Sequence, residues 1–172
     1  MKISILSDIH DNVWNLKKAI AMKELQESET LLFCGDLCAP FIIKLLGQAY
    51  SKPIHIVLGN NDGDVAAIMA NAANFSNIKI HGEYFRGEFG GMTIAMNHYP
   101  DNARKIAEQG NYEVVCYGHN HILSQEYIGD TLLINPGTIM GFHGGALKDV
   151  PATFITMHCG TRETKVSELR SS

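Results

Sequence analysis

The 172-residue sequence predicts an α/β fold. Its first half alternates short apolar strand patterns with helical patterns, an order that favours parallel strands joined by right-handed crossovers. Its second half carries hairpin signals instead, of which Gly129-Asp130 is the strongest. A chain of this length can bury a sizeable core as one unit. We therefore expect a single domain over residues 1–172.

Composition points to an ordinary globular protein. Hydrophobic residues make up 45% and charged residues 19% of the sequence, with a formal net charge of −4. Met1-Lys2 leads directly into a strand pattern, without a signal-peptide pattern, and we find no apolar stretch of membrane-spanning length. We expect a cytoplasmic protein with no membrane partner. The negative charge disfavours long nucleic acids, but bound cations could still attract small phosphate substrates.

The four cysteines are expected to be reduced thiols. They are Cys34, Cys38, Cys116 and Cys159, and none forms a Cys-x-x-Cys pair. Cys34 and Cys38 could form half of a soft-metal site, but the apolar run around Cys34 favours core packing.

The predicted elements follow one another with short connections. In the first half, strands are predicted at 2–7, 30–34 and 54–58, and helices at 13–27, 41–50 and 65–73. In the second half, strands are predicted at 77–81, 83–88, 92–97, 112–117, 124–128, 131–134, 152–157 and 163–169, with a helix at 101–109. Asp101 is the expected N-cap of that helix, residues 135–150 form a glycine-rich loop, and residues 170–172 are expected to be frayed.

Polar side chains follow the ends of five predicted strands. They are Asp8, His10, Asp36, Asn60, His98, His119 and His121. Such oxygen and nitrogen donors suit Mn²⁺, Fe, Zn²⁺ or Ni²⁺. On an extended backbone, residues two apart point to the same face, so Asp8 and His10 are expected to converge on one ion. His119 and His121 are expected to face one cavity and reach two neighbouring ions.

The number of these candidates indicates two ions. A carboxylate such as Asp36, just past a buried strand, lies where open α/β sheets bind ligands, although Gly-Asp is also a common turn. Seven ligands exceed what one ion with an open position requires. They fit two ions about 3.5–4 Å apart that share a bridging carboxylate, as in enzymes that displace groups at phosphorus.

Five short blocks resemble the calcineurin-like metallophosphoesterase superfamily. They are Asp8-Ile9-His10, Gly35-Asp36, Gly59-Asn60-Asn61-Asp62, His98 and Gly118-His119-Asn120-His121, and they occur in the order of the family. Each block is common by chance, but the ordered set is specific. The small size and the later Asn135-Pro136-Gly137-Thr138 segment resemble the YfcE-type phosphodiesterases of this superfamily.

The resemblance implies a four-layer α/β/β/α sandwich of two mixed sheets and a role for each ligand. One metal would be held by Asp8, His10, Asp36 and His121, and the other by Asp36, Asn60, His98 and His119. A hydroxide between the ions would attack phosphorus. Asn60, Asp62 and His98 are the implied catalytic residues, with Asn60 orienting a phosphate oxygen. Mn²⁺ is our first choice of metal, with Fe, Ni, Zn or Mg as alternatives.

Charge favours a small phosphodiester as the substrate. Two divalent ions, two carboxylates and one hydroxide sum to about +1, which a diester monoanion neutralises. A phosphomonoester dianion would need additional Arg or Lys. A phosphomonoesterase or phosphatase is therefore an alternative, as is a protein-binding scaffold like a retromer subunit, which shares the implied fold. A homo-oligomer is also left open.

The sequence departs from the family pattern at two positions. Asn61 stands where the family often has a histidine that pairs with an aspartate and protonates the leaving group, so Asp62 lacks its usual partner. His143 could replace this acid, although a solvated loop histidine is the ordinary interpretation. Tyr99 stands where a glycine is common and would either narrow the site or lie on the surface.

The remaining polar residues that attract attention are expected to be structural. His55 alternates with apolar residues in a strand, and His81 and His158 lie at turns. Asn12 is expected to bond the metal loop or cap a helix, and Asp64 to begin one.

Overall fold

The computed structural model describes residues 1–169, so the predicted fraying of 170–172 lies outside the described part of the chain. The elements in chain order are β1 (Lys2–Leu6), α1 (Val13–Ala21), α2 (Lys23–Gln26), β2 (Thr30–Phe33), α3 (Phe41–Ala49), β3 (Ile54–Ile56), α4 (Val65–Ala72), β4 (Ile78–Ile80), β5 (Tyr84–Phe89), β6 (Met92–Asn97), α5 (Pro100–Glu108), β7 (Val114–Cys116), β8 (Ser124–Ile128), β9 (Thr131–Asn135), β10 (Phe142–His143), β11 (Lys148–Asp149), β12 (Thr153–His158) and β13 (Thr164–Glu168).

The first sheet has six strands in the order β13-β12-β1-β2-β3-β4. Strands β1 to β4 pair in parallel, as the alternating pattern of the first half predicted for the first three of them. The C-terminal hairpin adds two antiparallel strands, with β12 pairing against β1. This sheet is therefore mixed, and its parallel strands end at one edge.

The second sheet has five strands in the order β5-β6-β7-β9-β8. The central strands β6, β7 and β9 pair in parallel, and the predicted hairpins supply β5 and β8 at the edges. The prediction of mixed sheets is confirmed.

Three apolar clusters show how the layers stack. One cluster lies between the first sheet and helices α1, α3 and α4, and includes Leu16, Phe33 and Ile43. A second joins the two sheets, with Ile5 facing residues such as Met96. A third packs α5 on the far face of the second sheet. The four-layer α/β/β/α arrangement is confirmed.

Local details differ from the sequence prediction in three places. The helix expected at 13–27 is interrupted at Met22, whose ψ of 136° is extended, so it becomes α1 and α2. Asp101 is not the N-cap of α5: Tyr99 holds that position, Pro100 begins the helix, and Asp101 lies in the first turn. The glycine-rich loop contains the β10–β11 hairpin.

Within residues 1–169, we find no helix with the length and apolar character needed to cross a bilayer.

Candidate metal centre

The carboxyl ends of strands from both sheets meet at one place. Asp8, Asp36 and Asn60 follow β1, β2 and β3 of the first sheet, whereas His98 and His119 follow β6 and β7 of the second. Parallel pairing within each sheet brings these ends to one edge. The two-sheet sandwich therefore gathers residues that are far apart in sequence.

The gathered side chains form two groups. Asp8, His10 and His121 make up the first group, and Asp36, His98 and His119 the second. In the first, Nε2 of His121 lies 3.3 Å from Oδ1 of Asp8. In the second, Nε2 of His98 lies 3.3 Å from Oδ2 of Asp36. The two groups match the two predicted ligand sets with two differences. Asn60 is not counted in the second group, and Asp36 belongs to one group only, whereas it was predicted to belong to both sets.

Asn60 extends the second group. Its Oδ1 lies 2.9 Å from Nδ1 of His119 and 3.2 Å from Nε2 of His98. An amide oxygen between two imidazole nitrogens fits a shared cation, since the oxygen and the unprotonated nitrogen of each neutral ring carry lone pairs. The predicted ligand set of the second ion is thus assembled in space.

Asp36 lies between the two groups. Its Oδ2 is 3.5 Å from Nε2 of His10 and 3.3 Å from Nε2 of His98. The side chain is 1% exposed, so it is removed from bulk water. A buried carboxylate within reach of a nitrogen from each group has the position that a shared ligand needs. The donor set of histidine nitrogens and carboxylate and amide oxygens fits two divalent ions.

The backbone of the ligands is left-handed rather than extended. Positive φ angles occur at Asp8 (54°), His10 (44°), Asp36 (61°), His119 (73°) and His121 (59°). The prediction that the two i, i+2 pairs share the face of an extended strand is therefore wrong, although the pairs reach the groups expected of them. Each left-handed residue other than glycine costs roughly 1–2 kcal/mol, and such strain concentrates at functional sites.

Asp62 holds this strained backbone in place. Its carboxylate accepts hydrogen bonds from the backbone N–H groups of Asp36 (3.1 Å), Cys38 (2.8 Å) and Gly59 (2.7 Å). Three N–H donors fix the metal loops after β2 and β3 to each other. These contacts favour a positioning role for Asp62, whereas the resemblance implied a catalytic one.

Two residues of the Asn135-Pro136-Gly137-Thr138 segment also support the site. The amide of Asn135 donates to the carbonyl of Gly118 and to Oδ1 of Asn120, so it holds the loop between His119 and His121. The hydroxyl of Thr138 donates to the carbonyl of Asp8. The sequence singled out this segment by resemblance, but local patterns gave neither residue a role.

Opposite charges concentrate at the centre. Burial raises the carboxyl pKa of Asp8, but hydrogen bonds from His10 and His121 outweigh it, and the pKa lies well below its ordinary value. Burial lowers the pKa of His98, but its contact with Asp36 more than compensates and raises it. Burial also lowers the pKa of the His121 imidazole, but its contact with Asp8 outweighs this effect and raises the pKa. Metal binding must displace protons from such nitrogens, so affinity should increase with pH.

Asn61 and Tyr99 both lie at the centre. The side-chain amide of Asn61 donates to Oδ2 of Asp36 (2.8 Å), and its backbone N–H donates to Oδ1 (2.9 Å). Asn61 thus fixes the orientation of the carboxylate.

The ring of Tyr99 lies 5.2 Å from that of His98 and 5.3 Å from that of His119, centroid to centroid. The ring of Tyr99 therefore packs beside two of the candidate ligands, and the narrowing of the site by Tyr99 stays a prediction.

His143 borders the same cavity. Together with His10, Asp36 and Asn61, it lines a space of about 380 Å³. Its Nδ1 accepts a hydrogen bond from the backbone N–H of Ala146, so the neutral ring carries its proton on Nε2.

Other predicted structural residues behave as expected. Asn12 caps α1 by accepting from the N–H of Asn15, and Asp64 caps α4 by accepting from the N–H of Ala67. Nδ1 of His55 lies 3.0 Å from Nε2 of His81. Burial lowers the pKa of His55 to about 4, so its ring is neutral near pH 7. A neutral, paired histidine favours a structural role.

Gly59 provides a test of how closely the ligands are packed. A Cβ there would lie 2.2 Å from Oδ1 of Asp36 and 2.8 Å from Nε2 of His98. We expect Gly59→Ala to weaken Mn²⁺ binding about tenfold or more, because the carboxylate must move. Gly63→Ala is the matched control, since a Cβ at that position meets nothing within 4 Å. Calorimetric titration with Mn²⁺ measures the affinity of each variant. Equal affinities of the two variants would show that the packing argument is wrong.

Comparisons with known proteins agree with this geometry. Residues 1–162 match the family model of the calcineurin-like phosphoesterase superfamily domain. Phosphodiesterase MJ0936 of Methanocaldococcus jannaschii is 32% identical over 147 residues, which cover 84% of this chain and 88% of that protein.

Two solved structures extend the comparison. An archaeal phosphodiesterase superposes with a TM-score of 0.86 at 28% identity, over 98% of this chain and 100% of that one. Vacuolar protein sorting 29 from Cryptosporidium parvum superposes with a TM-score of 0.68 over 99% of this chain and 98% of that one, but its 18% identity shows only a shared fold. Given the family match and the relative from Methanocaldococcus, the chain belongs to the calcineurin-like phosphoesterase superfamily.

Proposed function

We propose that this protein is a two-metal phosphodiesterase that hydrolyses small phosphodiesters. The observation that carries the proposal is the pair of ligand groups that meet at Asp36. The similarity to phosphodiesterase MJ0936 and to the archaeal phosphodiesterase supports the same activity.

The two groups define which residues would hold each ion. Asp8, His10, Asp36 and His121 would hold one, and Asp36, Asn60, His98 and His119 the other. Two bound divalent ions would neutralise phosphate charge and lower the pKa of a water held at the site. Mn²⁺ is the ion we propose, and Fe, Ni, Zn or Mg suit the same donors.

Residues of the chain itself would then position the substrate. Because Oδ1 of Asn60 faces His98 and His119, its Nδ2 remains available to donate to a phosphate oxygen. Asn61 keeps the Asp36 carboxylate in one orientation, so the geometry of both groups is fixed before substrate binds. His98 is itself fixed, because its Nδ1 lies 2.7 Å from the carbonyl oxygen of Cys34.

Charge at the site supports a diester rather than a monoester. The central cavity is lined by His, Asp, Asn and Gly residues, so the side chains around it add no fixed cation to those of the metals. The estimate of about +1 for a loaded centre matches a diester monoanion. A phosphomonoester dianion would lack a second cationic contact.

A protein-binding scaffold is less well supported as a function. The likeness to vacuolar protein sorting 29 is one of fold, at 18% identity. A scaffold does not require a metal centre, yet this chain retains all seven ligand-type side chains at close range.

The free thiols of its four cysteines are in keeping with a cytoplasmic enzyme, which is the location we propose. The apolar core shared by both sheets supports a single domain.

The choice between ester classes can be tested directly. With Mn²⁺, bis-p-nitrophenyl phosphate should be cleaved about tenfold faster, in kcat/KM, than p-nitrophenyl phosphate, because only the first matches the charge of the centre. Release of p-nitrophenol measures both reactions, and protein kept with excess chelator is the control. A preference for the monoester would overturn the proposal.

His143 is our candidate for the proton donor in place of Asn61. It borders the central cavity, and a leaving group there would take its proton from the imidazolium form of the ring. His143→Ala should therefore slow diesters with an alkoxide leaving group by about 10²-fold, while p-nitrophenyl diesters, whose leaving group needs little protonation, lose less than about threefold. His158→Ala, an exposed histidine on β12, is the matched control. Equal losses on both substrate types would exclude the role.

A further inference from the structure

A second cavity adjoins the metal centre, on the other side of His121 and His143. These two histidines line both the central space and this second cavity of about 400 Å³. The two spaces are therefore neighbours that share a wall. A cavity of this volume lies within the range of small-molecule sites.

The second cavity differs from the first in its lining. Its apolar residues are Ile122, Leu123, Ala146, Val150 and Pro151. Its polar lining residues are His121, His143, Lys148 and Thr153. The apolar residues suit an apolar group, and Lys148 disfavours a cationic one.

Ile122 and Leu123 are exposed apolar side chains beside the candidate metal centre. They follow the ligand His121 directly in sequence, yet their side chains are 51% and 41% exposed. Apolar surface left open beside a polar site typically marks a binding surface. Across the cavity, the β10–β11 hairpin is held against the metal centre, since the Nδ1 of His121 contacts the carbonyl oxygen of Phe142. The position of the cavity relative to the two ligand groups is thus fixed.

We propose that this cavity, formed between Ile122-Leu123 and the β10–β11 hairpin, is a subsite for a flat, uncharged, apolar ester group of the substrate. This inference rests on the proposed function, because it places the phosphorus at the metal centre. From there, an ester group needs to pass only His121 and His143 to reach the apolar lining. The substrates favoured by the protein are then diesters with an aryl or similar ring on one side.

Two phosphinates provide a test that needs no hydrolysis. Methyl(phenyl)phosphinate and dimethylphosphinate carry the single negative charge of a diester, and neither has an ester bond that the enzyme could cleave. Titrated calorimetrically onto Mn²⁺-loaded protein, methyl(phenyl)phosphinate should bind about tenfold more tightly, because its ring is removed from water. Leu123→Ser should abolish this advantage while leaving dimethylphosphinate binding unchanged.

Leu147→Ser is the matched control. Leu147 belongs to the turn between β10 and β11 and is 79% exposed, but it is not among the residues that line the cavity. The control should keep the tenfold preference. Ile122→Ser, at the adjacent lining residue, should reproduce the loss and substitutes for Leu123→Ser if that variant does not fold. A preference that survives both Ile122→Ser and Leu123→Ser would overturn the subsite.

The outcomes also separate this inference from the proposed function. If wild-type protein prefers methyl(phenyl)phosphinate but cleaves no diester, the subsite stands and the phosphodiesterase assignment fails. If it cleaves diesters but binds both phosphinates equally, the activity stands and the subsite is refuted.

Discussion

The structure of the site depends on one buried carboxylate, Asp36, which lies between two groups of ligands. One oxygen of Asp36 is within 3.5 Å of His10 and 3.3 Å of His98, and Asn61 holds the carboxylate from the side. The two sheets must stack in one relative position for this to occur, since His98 follows a strand of the second sheet. Asp36 is thus where the packing of the sandwich determines the chemistry of the centre.

The same site concentrates backbone strain and the contacts that offset it. Five of the ligands have left-handed φ angles, which together cost several kcal/mol. The buried carboxylate of Asp62 accepts three backbone N–H bonds, and Thr138 and Asn135 hold the loops around Asp8 and His119. The strained turns place Asp8 and His10 in the same group but His119 and His121 in different groups. An extended strand would direct both side chains of the second pair to the same side.

Sequence patterns predicted the elements, and which polar side chains come together, better than the path of the backbone between them. Apolar runs such as 30–34 identified buried strands, and the polar residues at their ends were those that converge. Long-range contacts were beyond such patterns: the hydrogen bond from Asn135 to Gly118 and the shared wall of the two cavities exist only once the sheets stack. Periodicity also missed the break at Met22 and the short β10–β11 hairpin, because neither spans enough residues to show a period.

The central claim is that both ions share Asp36, and titration of metal-free protein with Mn²⁺ tests it most directly. Wild-type protein should bind two ions per chain. Asp8→Asn should weaken one binding event, because Asp8 belongs to one group, whereas Asp36→Asn should weaken both. A single ion in the wild type, or an effect of Asp36→Asn confined to one of two ions, would contradict the account.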